Sequence, residues 1–204
     1  MRRALAVALA ACLLPLAGCA PNTDGGLRPG AAKVDVDTPH LRALKKQAGV
    51  ENCAPGAGTQ VDGGLPDVTL PCLGGGPDVD LSSLRGPLVV SVWASWCGPC
   101  RHEMPILQAF HQQYAGRVRV VGIDYQDPQT GGAMDLVRKT GATYPLLADA
   151  QGDLDRASPF PHLAGLPFLA LVDADGKVVH QEFTALDSEQ QLVDLVHQHL
   201  GADL

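Results

Sequence analysis

The stretch VWASWCGPC at residues 92–100 decides the fold, because it places Cys97 and Cys100 at the junction of two predicted elements. The segment at residues 88–94 is apolar apart from Ser91 and contains several β-branched residues, which is typical of a central strand that is buried on both faces of a sheet. Apolar residues then recur at helical spacing from 97 to 114. The sequence therefore predicts that the cysteine pair lies between a buried strand and the first turn of a helix.

This position favours redox chemistry at the two sulfurs. A cysteine at a helix N-terminus faces unpaired backbone N–H groups and the positive end of the helix dipole, and both stabilise a thiolate. We therefore expect Cys97 to be the more exposed of the two and to act as the nucleophile. Cys100 lies further into the helix, within reach of the same disulfide, and is expected to resolve the mixed disulfide that Cys97 forms. Pro99 falls in the first turn, where its missing N–H costs little.

Two other uses of a cysteine pair fit the sequence less well. A zinc site usually needs a second pair at matching spacing, and the cysteines at 19, 53 and 72 form no CxxC. The seven histidines show no ligand spacing and are predicted to be solvated. A purely structural disulfide would need neither the preceding tryptophan nor the intervening Gly-Pro. We expect no metal and no cofactor.

The remaining sequence predicts an α/β domain with a mixed central sheet that is flanked by helices. Further strands are predicted at residues 68–70, 79–81 and 118–123, and a β-hairpin at 168–183. Helices are predicted at 40–48, from about Met134 to Gly141, and at 188–200, where Ser188 can act as the N-cap.

With these motifs the chain resembles the thioredoxin superfamily. Residues 92–100 resemble the thioredoxin active-site segment, Pro105 matches the proline that kinks the following helix, and Gly165-Leu166-Pro167 resembles the cis-proline segment opposite the cysteines. The resemblance covers about residues 65–200. It implies a thioredoxin-like fold with an N-terminal extension, and the activity of a protein thiol–disulfide oxidoreductase.

Three segments are similar to the TlpA/ResA branch of extracytoplasmic thioredoxin-like proteins: residues 65–67, 101–105 and 173–176. The resemblance implies a substrate-binding surface around the cysteines. Its predicted members are Trp96, Gly98, Pro99, Leu166 and Pro167. In this family the cis-proline leaves neighbouring backbone groups free to pair with an incoming substrate strand and keeps metals away from the thiols.

One position departs from the thioredoxin pattern. Thioredoxins carry a buried aspartate six residues before the first cysteine, and Ser91 stands there in this chain. Glu103 resembles the glutamate that the ResA branch carries three residues after the second cysteine, so we expect it to act as the base for Cys100. The alternative is an acidic residue that is favoured only by the helix N-terminus.

The first residues predict export. Arg2 and Arg3 precede an apolar segment, and residues 1–18 together have the layout of a signal peptide. Residues 16–19 resemble a lipoprotein lipobox, so Cys19 is expected to be lipidated and to anchor the protein at the outer face of the bacterial cytoplasmic membrane. A plain cleaved signal is the alternative. Beyond it, the sequence predicts a flexible linker at 19–38 that buries no core, an N-terminal extension with a short helix at 39–64, and the thioredoxin-like domain at 65–204.

Cys53 and Cys72 form the other candidate pair. In an oxidising compartment two such cysteines most often form a structural disulfide. Their separation of 19 residues would be worth about 3 kcal/mol in the loop-entropy model. A second redox pair is the alternative.

The expected function is reduction of protein disulfides in the cell envelope, since Gly98-Pro99 is the dipeptide of the strongly reducing thioredoxins. Apocytochrome c is a substrate that the family resemblance implies, and a membrane thiol-transfer protein is the expected electron donor. The alternatives are an envelope oxidant, a peroxidase and a copper carrier. A peroxidase would need a threonine where Ala94 stands, and copper carriers on this fold use CxxxC. The formal net charge of −7 gives no support for nucleic-acid binding.

Overall fold

The computed structural model describes residues 34–202 and Leu204. Its helices are α1 (Pro39–Ala48), α2 (Gly98–Tyr114), α3 (Thr130–Thr140) and α4 (Glu189–Leu200), with a 3₁₀ turn at Leu81–Ser83. The strands are β1 (Thr69–Leu70), β2 (Val79–Asp80), β3 (Leu88–Trp93), β4 (Arg119–Tyr125), β5 (Leu146–Asp149), β6 (Phe168–Val172) and β7 (Val178–Glu182). Within this part of the chain, no helix is both long and apolar enough to cross a membrane. The predicted signal peptide and Cys19 lie outside the described residues.

Five strands form the central sheet in the order β5-β4-β3-β6-β7. The middle strand, β3, runs parallel to β4 and antiparallel to β6, so that Val90 lies between Val121 and Ala170. All six residues of β3 are buried, as its continuous apolar run predicted. Strands β1 and β2 form a separate antiparallel pair. The mixed sheet and its flanking helices confirm the predicted architecture.

The two faces of β3 contribute to two hydrophobic cores, because successive side chains in a strand point to opposite sides. Val89 and Trp93 belong to the first core, which contains residues of all four helices. Val90 and Val92 belong to the second core, which contains Cys53 of the N-terminal extension together with Leu70 and Val79 of β1 and β2. The end of β3, with the cysteine pair that follows, is therefore held from both sides of the sheet.

Strand β5 was not predicted from the sequence. Its four residues, Leu-Leu-Ala-Asp, contain no β-branched side chain and directly follow Pro145, so local preference gives little strand signal. The strand forms through pairing with β4, where Leu146 lies opposite Gly122 in a parallel register. All four of its residues are buried. Tertiary contact therefore determines this element.

The end of the predicted linker is wrong, because residues 34–38 belong to the folded domain. Val36 is only 7% exposed and contributes to the first core. Its carbonyl accepts a hydrogen bond of 2.8 Å from the Gly74 amide. The hydroxyl of Thr38 accepts a hydrogen bond of 3.1 Å from the Leu41 amide and so caps α1. The linker was predicted from the Gly- and Pro-rich composition of the preceding residues, and this composition does not extend to residues 34–38.

Candidate active site

Cys97 and Cys100 form a disulfide at the N-terminus of α2. Cys97 is the N-cap of this helix, and its sulfur accepts a hydrogen bond of 3.2 Å from the Cys100 amide. The Cys97 residue is 4% exposed, whereas Cys100 is fully buried. Both cysteines are therefore buried in the disulfide form, and Cys97 is the one that retains slight exposure.

The loop before the cysteines is held by residues that sequence reasoning missed. The Ser95 amide donates a hydrogen bond of 2.7 Å to the Asp127 carboxylate, which also accepts one of 2.9 Å from the Gln129 amide. The Arg101 guanidinium donates to the Ser95 carbonyl, at 2.8 Å for its shorter bond. Asp127 follows β4 as the cysteine loop follows β3, and the carboxyl ends of these parallel strands meet at one edge of the sheet. That shared edge is the signal that could have identified Asp127.

Leu166 and Pro167 lie at the same end of the sheet as the cysteines. The peptide bond between them is cis, as are those of Gly86-Pro87 and Ser158-Pro159. Pro167 directly precedes β6, in which Phe168 is the partner of Val92 in β3. The start of β6 is therefore adjacent to the end of β3, from which the cysteine loop departs.

Two exposed aromatic side chains lie on the described surface. Trp96, next to the reactive cysteine, is 53% exposed, and its indole N–H donates to the Gln126 carbonyl at 3.4 Å. Phe183 is 50% exposed and its ring contacts that of the buried Phe168, with the centroids 4.9 Å apart. Trp96 is thus part of the cysteine loop itself, and Phe183 packs against the residue that begins β6.

A cleft of about 540 Å³ opens at the first turn of α2. The first turn of α2 forms one wall through Gly98, Pro99 and His102, and residues 185–187 form the other. Gly98 and Pro99 are exposed. The predicted substrate-binding residues on the helix side therefore border an open cleft.

Glu103 is buried in the core beneath the disulfide, with only 1% of its surface exposed. Its carboxylate accepts hydrogen bonds from the Ser91 hydroxyl at 3.0 Å and from the Leu186 amide at 3.2 Å. Burial raises the pKa of Glu103 to about 7, although these two hydrogen bonds oppose the shift. The structure thus brings together the serine that replaces the thioredoxin aspartate and the glutamate that was expected to replace its function.

Further buried acidic and aromatic groups lie near Glu103 and the cysteine loop. Burial raises the pKa of Tyr144, and the negative charge of Glu103 raises it further. Asp124 is 2% exposed, and burial raises its pKa well above the usual range, with the neighbouring Asp127 adding to the effect. Buried titratable side chains therefore interact with both Glu103 and Asp127.

Among residues 34–202 and 204, no three His, Cys, Asp or Glu side chains form a group that could hold a metal ion. The prediction that the histidines are all solvated is wrong for His111, which is 6% exposed. Its Nε2 lies 3.0 Å from a carboxylate oxygen of Glu51. His111 lies on the inward face of α2, where the amphipathic pattern gave no sign that a polar ring would be accommodated.

The fold and the cysteine site define a thioredoxin-like protein, and comparison with known proteins gives its family. Residues 60–195 match the Redoxin family, and the chain belongs to it. The chain is 31% identical over 130 residues to the thiol:disulfide interchange protein CycY of Rhizobium leguminosarum bv. viciae, covering 61% of this chain and 67% of CycY. It is 26% identical over 119 residues to the thiol-disulfide oxidoreductase ResA of Bacillus thuringiensis subsp. konkukian, covering 57% of this chain and 66% of ResA.

A solved structure is also similar. It is that of a secreted Mycobacterium tuberculosis disulfide oxidoreductase homologous to E. coli DsbE, with 26% identity and a TM-score of 0.55 over 65% of this chain and 96% of that one. Together the relatives confirm the predicted resemblance to the TlpA/ResA branch. The relatives named here are thiol–disulfide exchange proteins.

Proposed function

We propose that this protein is an exported thiol–disulfide oxidoreductase that reduces disulfides in protein substrates through Cys97 and Cys100. The observation that carries the proposal is the Cys97–Cys100 disulfide at the start of α2, in which Cys97 is slightly exposed and Cys100 is fully buried. Membership of the Redoxin family and the similarity to CycY and ResA support the same chemistry.

The reaction begins when the reduced Cys97 thiolate attacks a substrate disulfide. The amide of Cys100, 3.2 Å from the Cys97 sulfur, and the helix dipole stabilise this thiolate. The substrate disulfide breaks, one substrate sulfur leaves as a thiolate, and the other remains bonded to Cys97. Cys100 then attacks the Cys97 sulfur, which releases the substrate in reduced form and restores the disulfide seen in the structure.

Glu103 accepts the proton that Cys100 must lose before its attack. The two residues are three positions apart on α2 and therefore lie on the same side of the helix. A carboxyl with a pKa of about 7 is substantially ionised at neutral pH and still basic enough to take a proton. The alternative, a residue placed only to favour the helix dipole, fits poorly with a side chain that is buried beside Ser91.

The substrate binds across the surface formed by Trp96, Gly98, Pro99 and the Leu166-Pro167 segment. The exposed ring of Trp96 offers apolar contact area, and the cleft between α2 and residues 185–187 is lined by Gly98 and Pro99, which lie between the two cysteines. The open cleft is consistent with an extended polypeptide as substrate. Apocytochrome c is a candidate because of the resemblance to the TlpA/ResA branch.

We place the protein outside the cytoplasm, anchored through a lipid on Cys19. The supporting observations are the signal-peptide layout of residues 1–18, the lipobox-like residues 16–19 and the secreted relative. A membrane thiol-transfer protein would then supply electrons and return the Cys97–Cys100 disulfide to its reduced form. The domain boundaries proposed with this arrangement are 19–33 for a linker and 34–204 for the folded part.

A trapping experiment tests the proposal. Cys100→Ala retains the attacking sulfur and removes the resolving one, so that substrates stay joined to Cys97 as mixed disulfides. We expect envelope proteins to be recovered with this variant and released by reductant. The matched control is Cys97→Ala/Cys100→Ala, which should recover none of them. Adducts on Cys53 or Cys72 in place of Cys97 would contradict the assignment, and capture of proteins that donate disulfides to others would indicate an oxidant.

A further inference from the structure

The disulfide between Cys53 and Cys72 has different surroundings at its two sulfurs. The ammonium of Lys45 donates a hydrogen bond to the Cys72 sulfur at 3.0 Å and another to the Gly75 carbonyl at 2.7 Å. The Cys53 sulfur instead lies 3.1 Å from the carbonyl oxygen of Leu146. One sulfur thus faces a cation and the other faces a hydrogen-bond acceptor.

The Lys45 side chain that contacts Cys72 is buried in the interior. Lys45 is 5% exposed, which is rare for a lysine. Gly76 leaves room for this contact, because a side chain there would begin 3.2 Å from the Cys72 sulfur and 3.8 Å from the Lys45 ammonium. The neighbouring Lys46 is exposed and offers a natural comparison.

Access to the disulfide is also asymmetric. A cavity of about 180 Å³ is lined by Cys53 but not by Cys72. Most of its lining is apolar, and the exposed residues Glu51 and Arg119 border it, so it reaches the surface. A small thiol in this cavity would contact Cys53, whereas the Cys72 sulfur lies beside Lys45.

We propose that Cys53–Cys72 is a second, exchangeable disulfide, in which a low-molecular-weight thiol attacks Cys53 and Cys72 leaves as a thiolate paired with Lys45. This goes beyond the function proposed for Cys97 and Cys100. It also favours a second redox pair over the purely structural bridge predicted from the sequence, because the burial of Lys45 against Cys72 is visible only in the folded chain.

The proposed step is a two-electron exchange. The incoming thiolate forms a bond to the Cys53 sulfur, the Cys53–Cys72 bond breaks, and its electron pair goes to the Cys72 sulfur. A second thiolate then attacks the sulfur of the first thiol, which forms an external disulfide and releases Cys53. Cys53 takes one proton and can donate it as a hydrogen bond to the Leu146 carbonyl, while Cys72 stays ionised beside Lys45. Two external thiols are oxidised and the protein disulfide is reduced.

The rate test uses the whole chain with Cys97→Ser/Cys100→Ser. Because both sulfurs of the proposed active site are absent, the result does not depend on whether the proposed function is correct. The protein is treated with 2-mercaptoethanol without denaturant, and loss of the Cys53–Cys72 disulfide is followed by alkylation. Adding Lys45→Met should slow the reaction by about tenfold, because the leaving thiolate loses its cation. Adding Lys46→Met, the matched control, should leave the rate unchanged. Equal rates for the two variants, or reduction only in denaturant, would overturn the proposal.

A second measurement needs no change at Lys45. Mapping of the first adduct should find 2-mercaptoethanol on Cys53 and an alkylated thiol on Cys72. Because no Lys or Arg occurs between residues 47 and 84, trypsin leaves both cysteines in one peptide, and cleavage at Asp62 or Asp67 separates them. The opposite distribution, or an even one, would overturn the proposal even if Lys45→Met failed to fold.

Discussion

Glu103 links the stability of the folded chain to pH. Burial raises its pKa from the usual 4.5 to about 7, so the folded state keeps the proton over a range in which the unfolded state has lost it. Its contribution is therefore most favourable below pH 4.5 and is lost as the pH rises towards 7, by at most about 3 kcal/mol. The group is a protonated acid at low pH and a costly buried anion at high pH.

Glu103→Gln should remove this loss, since the amide has no charge to bury. We expect the free energy of unfolding of the variant, measured in urea, to fall less between pH 4.5 and 7 than that of the unchanged protein. Asp175→Asn, at an exposed hairpin position, is the control and should retain the original pH dependence. If the free energy of unfolding depended on pH in the same way in both variants, Glu103 would not be the buried titrating group.

The same substitution should alter the chemistry. If Glu103 takes the proton from Cys100, the pH–rate profile of disulfide exchange should lose its inflection near pH 7 in Glu103→Gln. The measurement is single-turnover exchange with a model disulfide from pH 5 to 9, with Asp175→Asn again as control. An unchanged profile would reduce Glu103 to a structural acid.

Asp127 holds the active-site loop through the Ser95 amide. Asp127→Ala would leave the Ser95 and Gln129 amides without their carboxylate acceptor, at a cost of about 1–3 kcal/mol for each amide that stays buried. We expect lower stability in urea and slower attack by Cys97, because the loop before it loosens. Asp175→Ala should change neither quantity. If Asp127→Ala matched this control, the loop would be held by its other contacts.

At the level of elements, α1 is an integral part of the domain although it precedes the matched family segment. Leu41 is 3% exposed and belongs to the first core, whereas Leu44 on the same helix is half-buried. Leu41→Ala should therefore cost about 2–5 kcal/mol of unfolding free energy, as expected for a buried leucine. Leu44→Ala should cost clearly less. Equal small losses in thermal or urea unfolding would mean that α1 is only loosely attached.

The predictability of each element follows from the strength of its local pattern. The apolar run of β3 and the helical spacing of α2 identified these elements and placed the cysteine motif between them. The α3 end was marked by Gly141, which adopts the left-handed conformation there. Strand β5 has no such local signal and depends on β4 for its pairing.

For the whole molecule, the sequence predicted the active-site residues better than it predicted the buried charged residues that contact the cysteine loop and the second disulfide. Cys97, Cys100 and Glu103 could be singled out because their spacing resembles a family motif. Asp127 and Lys45 could not, because each acts across a long separation in sequence, on Ser95 and on Cys72 respectively. A lone acidic or basic residue in a sequence is usually a solvated one, and only the folded chain shows that these two are buried.

The central claim is that electrons pass through Cys97 and that Cys100 completes the exchange. The most direct test is reduction of insulin by dithiothreitol in the presence of each form of the protein. The account predicts catalysis by the unchanged protein and no catalysis by Cys97→Ser. When reduced Cys100→Ser is mixed with insulin after dithiothreitol has been removed, a stalled mixed disulfide should accumulate at Cys97. Full turnover by Cys97→Ser, or a stalled disulfide at Cys100 in that variant, would contradict it.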